Sequence, residues 1–187
     1  MTVQRLLEVP RSIILVGLMG AGKTCIGREL AGRLGIPFID VDTEIEAAAG
    51  CTIEDIFRLY CEHEFSDGER RVLARLLDGS TQVLATGGGA FIDPDTRQIA
   101  RGQAISVWLR ADLDLLVSRV GRRSNRPLLR DKNARDVLRN LIDERYPIYA
   151  EADITVDSGR EAPEFTVERV IHELEDFLSP DNAESLL

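Results

Sequence analysis

The eight residues "GLMGAGKT" (17–24) limit what this chain can fold into more than any other stretch. They complete the pattern G-x-x-x-x-G-K-[ST] with Gly17, Gly22, Lys23 and Thr24. They overlap the end of "SIILVGL" (12–18), which reads as a buried strand rich in β-branched residues. They open a helix predicted from Lys23 to about Leu34, where Gly35 stops it. A strand, a glycine loop and a helix in that order aim backbone N–H groups and a helix N-terminus at phosphates. Lys23 is expected to reach the β- and γ-phosphates of a nucleotide, and the Thr24 hydroxyl to ligate Mg²⁺. Cys25 has two readings. Its thiol pKa is lowered by the helix N-terminus, or it is a small buried residue, and the second is the expectation.

Strand-like and helical patterns alternate through the rest of the chain. "IPFIDVD" (36–42) reads as a second strand ending in acids, and Thr43 as the cap of a short helix to about Ala49. Thr52 opens another helix, with Asp55 three residues on in a variant of the capping box. A helix follows from about Phe65 to Leu77, then strands at "QVLAT" (82–86) and "AISVWL" (104–109). Helices are predicted from about Asp112 to Arg119 and from about Ala134 to near Tyr146. "DITV" (153–156) is a fifth strand, and a last helix spans about Pro163 to Leu178. This alternation implies an α/β fold with a parallel sheet covered on both faces. Ligands then bind beyond the carboxyl ends of the strands. The glycine loop, the acids and "GGG" all fall at such ends. No linker divides the chain, so residues 1–187 are expected to form one domain with a core over 11–178 and a flexible tail at 179–187.

Asp40 and Asp42 lie two apart, so an extended backbone would send both carboxylates into one cleft. There one could hold a water on Mg²⁺ and the other accept a proton from an attacking hydroxyl. The alternative is a solvated strand end or a helix cap. "TGGGA" (86–90) permits close approach of a ligand to bare backbone N–H groups, or is simply a flexible turn. "GRRSNRPLLRDKNAR" (121–135) carries six basic residues and one acid. It reads as a lid whose arginine closes over transferring phosphates, as a solvated loop, or as a nucleic-acid patch without interleaved aromatics.

Composition trims the alternatives. With 32 acids against 23 Lys and Arg, net charge −9, the chain is a poor polyanion binder, so no nucleic-acid partner is expected. Three cysteines cannot all pair, and none has metal-ligand spacing with His63 or His172, which suits a reducing compartment. "MTVQRLLEVPR" lacks the apolar core of an export signal and no run approaches the roughly 20 apolar residues of a membrane span. A cytoplasmic monomer without a membrane partner is therefore the expectation. The guanine signature N-K-x-D of a regulatory GTPase is missing. An ATPase that depends on nucleic acid sits badly with the acidic charge.

The order "GLMGAGKT", "DVDTEIE", "EHEF", "ATGGGA", "RPLL", "DERYPIY" resembles the shikimate kinase family, from about Ile13 to Val156. The resemblance implies a three-layer P-loop kinase fold: a five-stranded parallel sheet flanked by helices, with a lid and a substrate-binding helical region. It implies transfer of the ATP γ-phosphate, with Mg²⁺, to the 3-hydroxyl of shikimate, a step toward chorismate and the aromatic amino acids. Gly20, Ala21, Gly22, Lys23, Thr24 and Cys25 match the family's ATP phosphate loop, with Thr24 the magnesium ligand and Asp40 the acid near the metal. Asp42 matches the acid on the shikimate hydroxyls, and Gly88, flanked by Gly87 and Gly89, the backbone contact to substrate. Arg126 matches the lid arginine, Arg145 an arginine for the substrate carboxylate, and Arg119 an arginine against adenine. Phe57 and Phe65 match apolar walls of the substrate pocket, and Glu69 an acid that orients the substrate arginines. Lys23, Asp42 and Arg126 are thus the implied catalytic groups.

One position departs from the family. Ser66 stands where the family has an arginine of the pair that clasps the shikimate carboxylate. A hydroxyl does not replace a guanidinium's two parallel charge-assisted bonds. Loss of one partner of a buried charge pair costs on the order of 2–5 kcal/mol, roughly 30-fold or more in binding. Three readings follow: a shikimate kinase with rearranged carboxylate binding, a kinase of a related polyol, or a paralogue that transfers little. In the first, Arg70, one helical turn beyond Ser66, or Arg145 takes more of the load.

Overall fold

The computed structural model describes residues 7–59, 62–121 and 133–179. "SIILV" forms β1 (Ser12–Val16), buried at every position. It is the central strand of a five-stranded sheet of order β2-β3-β1-β4-β5. The other strands are β2 (Phe38–Asp40), β3 (Val83–Ala85), β4 (Ala104–Arg110) and β5 (Ile154–Asp157). All pairings are parallel, with Ile13 opposite both Val83 and Ile105. A strand buried on successive residues needs cover on both faces. α1 (Lys23–Leu34) and α8 (Pro163–Phe177) pack on each other, while α5 (Pro94–Gln103) packs on β4. Ile13, Leu15, Ile105 and Val107 meet Leu30, Val167, Val170 and Leu174 in one core.

The remaining helices are α2 (Val41–Ala49), α3 (Ile53–Leu59), α4 (Glu62–Leu77), α6 (Leu113–Gly121) and α7 (Ala134–Tyr149). Thr52 and Asp55 form the expected cap: the Asp55 N–H donates to Thr52 Oγ1 at 3.1 Å and the Thr52 hydroxyl to Asp55 Oδ2 at 2.9 Å. Among the described residues, no helix is long and apolar enough to cross a membrane.

Two expectations change, and a third falls largely outside the described residues. The second strand stops at Asp40, not Asp42, because the Asp40 carboxylate accepts the Asp42 N–H at 3.2 Å and starts α2 there. Cys25 is exposed rather than buried, since it falls off the Ile26–Leu30–Leu34 face of α1. Within the expected lid, Gly121 ends α6 and Asn133 caps α7, with residues 122–132 outside the described residues. Of the expected tail, only Ser179 is described, and it follows α8.

Gly17 is the tightest point of the first loop. Its φ is +137°, and a methyl there would lie 2.7 Å from the Leu109 carbonyl oxygen on the neighbouring strand. Positive φ costs an L-residue about 1–2 kcal/mol, and overpacking against fixed backbone adds about 1 more. Gly17→Ala is expected to lower stability by about 2–3 kcal/mol in urea unfolding; an unchanged midpoint would show that the loop has slack here.

Candidate active site

The carboxyl ends of β1, β2 and β3 bring together the glycine loop, the two acids and the glycine triple. Lys23 curls back over its own loop, donating from Nζ to the Gly17 oxygen at 2.7 Å and the Leu18 oxygen at 3.0 Å. The Thr24 hydroxyl donates to Asp40 Oδ2 at 3.0 Å. Asp40 is thus at once a helix cap and the neighbour of the phosphate loop. Asp42, in the first turn of α2, goes elsewhere. A methyl on Gly87 would lie 2.9 Å from Asp42 Oδ1 and 3.1 Å from Glu69 Oε1. The two acids after β2 therefore divide, Asp40 toward the nucleotide loop and Asp42 toward the glycine triple.

Glu69, on α4, is buried, and its Oε1 has no hydrogen-bond partner. Burial pushes its carboxyl from 4.5 up to about 8, with the charges of Asp42 and Asp93 adding to the rise.

The glycine triple is fastened, not loose. Thr86 donates from its hydroxyl to the Leu15 oxygen at 3.0 Å. Arg145 Nη1, from α7, donates to the Gly88 oxygen at 3.1 Å, and the Tyr149 hydroxyl donates to the same oxygen. A methyl on Gly88 would face Arg145 Nη1 and the Gly17 oxygen at 3.7 Å, so this glycine lies between α7 and the phosphate loop. Gly89 opens onto space, with no atom within 4 Å of a methyl placed there. Among the described residues, the buried side-chain polar atoms without a partner are Glu69 Oε1, Arg145 Nε and Trp108 Nε1. All three belong to residues around Gly17, Gly87 and Gly88. Unmet buried polar groups are costly, and these three gather where the phosphate loop and the glycine triple meet.

Arg119 braces the phosphate loop from behind. Its guanidinium donates to the Gly20 and Ala21 oxygens at 3.2 and 3.3 Å, to Ser158 Oγ at 3.0 Å and to the Gly159 oxygen at 2.6 Å. Ser158 Oγ in turn donates to the Ala21 oxygen at 2.9 Å. The Phe57 and Phe65 rings stack with centroids 4.5 Å apart, and Phe57 is exposed. Ser66 is half-buried on α4. Arg70 is committed to acids, donating to Asp67 at 2.5 Å, Asp95 at 2.8 Å and Asp93 at 3.3 Å. Of the two arginines named as substitutes for the one missing at Ser66, the fold brings Arg145 to the glycine triple. Arg126 lies outside the described residues. Tyr149 and Ser158 are site neighbours that the sequence reading missed. The signal for Tyr149 was its position four residues after Arg145 on one helix.

The family model for shikimate kinase matches residues 19–175. The chain belongs to the shikimate kinase family. A shikimate kinase of Paramagnetospirillum magneticum is 55% identical over 171 residues, covering 91% of this chain and 88% of that protein. One of Rhodopseudomonas palustris is 52% identical, over 90% of this chain and 83% of its own. The solved shikimate kinase of Acinetobacter baumannii in complex with shikimate superposes with a TM-score of 0.84 at 38% identity, covering 90% of this chain and 96% of that one. The five-stranded parallel sheet flanked by helices is the architecture shared with these shikimate kinases. Family membership makes the chain a phosphotransferase with an alcohol acceptor.

Proposed function

We propose that the chain transfers the γ-phosphate of ATP to the 3-hydroxyl of shikimate. The observation that carries this reading is the junction at Gly88, where the glycine triple meets both the phosphate loop and Arg145. A donor phosphate on the loop and an acid held by Arg145 would then share one cleft. The bound shikimate of the Acinetobacter baumannii enzyme supports the choice of acceptor.

Phosphoryl transfer needs positioning and charge neutralisation more than covalent help. Backbone N–H groups of Gly20 to Cys25 would bind the phosphates, with the loop's shape set by Arg119. Lys23 would exchange its contacts with Gly17 and Leu18 for phosphate oxygens. Thr24 and Asp40 offer hard oxygen donors side by side, which fits Mg²⁺ held partly by protein and partly by phosphate. When bound there, Mg²⁺ neutralises charge on the transferring group. Asp42 would orient the acceptor hydroxyl and receive its proton, while Glu69, its carboxyl raised to about 8 chiefly by burial, keeps its own proton at pH 7. Arg126 remains the proposed lid arginine.

Ser66 favours one further reading, an acceptor of the same polyol class with a smaller acid demand. ADP release with ATP, Mg²⁺ and shikimate titrated to several millimolar separates the two. Saturable turnover supports shikimate; turnover only with polyols lacking a carboxylate would replace it. Ser66 lies three residues before Glu69 on α4, so an arginine there shares its face with the unpartnered Oε1. Ser66→Arg is expected to lower the shikimate KM by about 30-fold, the value of a restored charge pair. A KM unchanged by Ser66→Arg would mean that Arg145 alone already saturates the carboxylate.

A further inference from the structure

Three consecutive glycines leave the peptide planes of residues 87–89 without side chains to hold them. The Gly88–Gly89 plane is held from outside instead. Its carbonyl oxygen receives the Tyr149 hydroxyl and Arg145 Nη1, which fills both lone pairs. The N–H of the same plane, that of Gly89, points the opposite way because the peptide is planar and trans. A methyl placed on Gly89 would meet no atom within 4 Å, so a ligand has room beside this residue.

Tyr149 is built to stay where it is. It is fully buried at the end of α7, with its ring 6.0 Å from Trp108 and 6.3 Å from Tyr146. Burial pushes its hydroxyl up to about 12, so it remains a donor at any working pH. Arg145 precedes it by one helical turn, and the two reach the carbonyl from one face of α7. The roles differ in freedom. Arg145 is half-buried with an unpartnered Nε and has donors to spare for an anion. Tyr149 has one hydroxyl hydrogen, and it is spent on Gly88.

We propose that Tyr149 is a positioning residue for the acceptor: it fixes the Gly88–Gly89 peptide plane, so that the Gly89 N–H faces the acceptor's anionic group while Arg145 is left to bind that group. The inference rests on the acceptor assigned above. The hydroxyl touches neither substrate nor reacting atoms. It acts through one backbone carbonyl.

Tyr146 supplies the internal control. It lies on the same helix in the same aromatic cluster, and its hydroxyl donates to the Ala111 oxygen, away from the triple. Tyr149→Phe and Tyr146→Phe each remove one buried hydroxyl and keep the ring. With Tyr149→Phe the shikimate KM is expected to rise about tenfold, the value of one hydrogen bond, with the ATP KM within about twofold. Tyr146→Phe is expected to leave the shikimate KM within about twofold, even where its melting temperature falls as far. A rise in shikimate KM in both variants, or in neither, overturns the inference. A second measurement needs no variant. The Gly89 amide resonance of the ¹⁵N-labelled wild type should move on adding shikimate, and an unmoved resonance at saturating shikimate overturns the inference too. If the wild type shows neither turnover nor binding with shikimate, the functional reading fails first and this inference with it.

Discussion

Lys23→Ala is expected to lower kcat by about 10²–10³, or roughly 2.7–4 kcal/mol of transition-state stabilisation, with the fold intact. Lys23 opens α1, where the helix N-terminus and the loop N–H groups already converge. Its ammonium is the nearest described cation to the loop's own carbonyls, at 2.7 and 3.0 Å. Those contacts are modest in energy and local, so their loss should leave the core in place. The loss during reaction is larger, because charge builds on the transferring group in a site that excludes water. Shikimate binding, measured by calorimetry without nucleotide, should change less than about twofold, since the acceptor groups lie across Gly88 from this residue. A kcat within tenfold of wild type would remove Lys23 from the catalytic set. A parallel loss of shikimate affinity would point to a collapsed loop instead.

The second large effect is on stability and runs with pH. Glu69 has a carboxyl raised from 4.5 to about 8, by burial first and then by Asp42 and Asp93. Between those values the folded chain keeps a proton that the unfolded chain has released. Stability from this group therefore falls as pH rises from about 4.5 and levels off above about 8. At about 1.36 kcal/mol per pH unit, the full span is on the order of 5 kcal/mol. Glu69→Gln keeps the shape and removes the titration. It is expected to match wild type near pH 5 in urea unfolding and to exceed it by a few kcal/mol at pH 8.5. Equal slopes of stability against pH for the two proteins would show that Glu69 ionises normally. The same variant bears on function, because a fixed neutral partner beside Asp42 should carry activity further into the alkaline range.

The sequence made some parts of the molecule plain and hid others for physical reasons. β1 and α1 were legible because a buried β-branched run, glycines and Lys-Thr sit in an order that few other structures need. The Thr52 cap was legible because its signal is local. α5 was not, since "PDTRQIARGQ" offers little apolar periodicity and rests on Asp93 at its cap and Pro94 at its first turn. The division of Asp40 from Asp42 was hidden as well. Period-two reasoning assumes that the strand continues, and the Asp40 carboxylate ends it by capping α2. Arg119 matched an arginine against adenine by resemblance; its hydrogen bonds to residues 20–21 and 158–159 are a closure that no spacing announces. Ser66 was visible as a substitution, but its counterpart, the unpartnered Glu69 oxygen, needed coordinates.

The strand order carries a consequence for how the protein comes into being. β1 precedes the other four described strands, yet its two sheet neighbours are β3 and β4, which follow after Gln82 and Gln103. Parallel pairs of such separation close slowly, because loop entropy is lost before any contact is gained. A nascent chain that stops short of Ala104 holds the whole phosphate loop and β3 in its sequence but lacks β4, whose Leu109 oxygen packs against Gly17. Nucleotide affinity in this enzyme is therefore a late event of biogenesis, and its appearance during translation would time the moment when β4 docks.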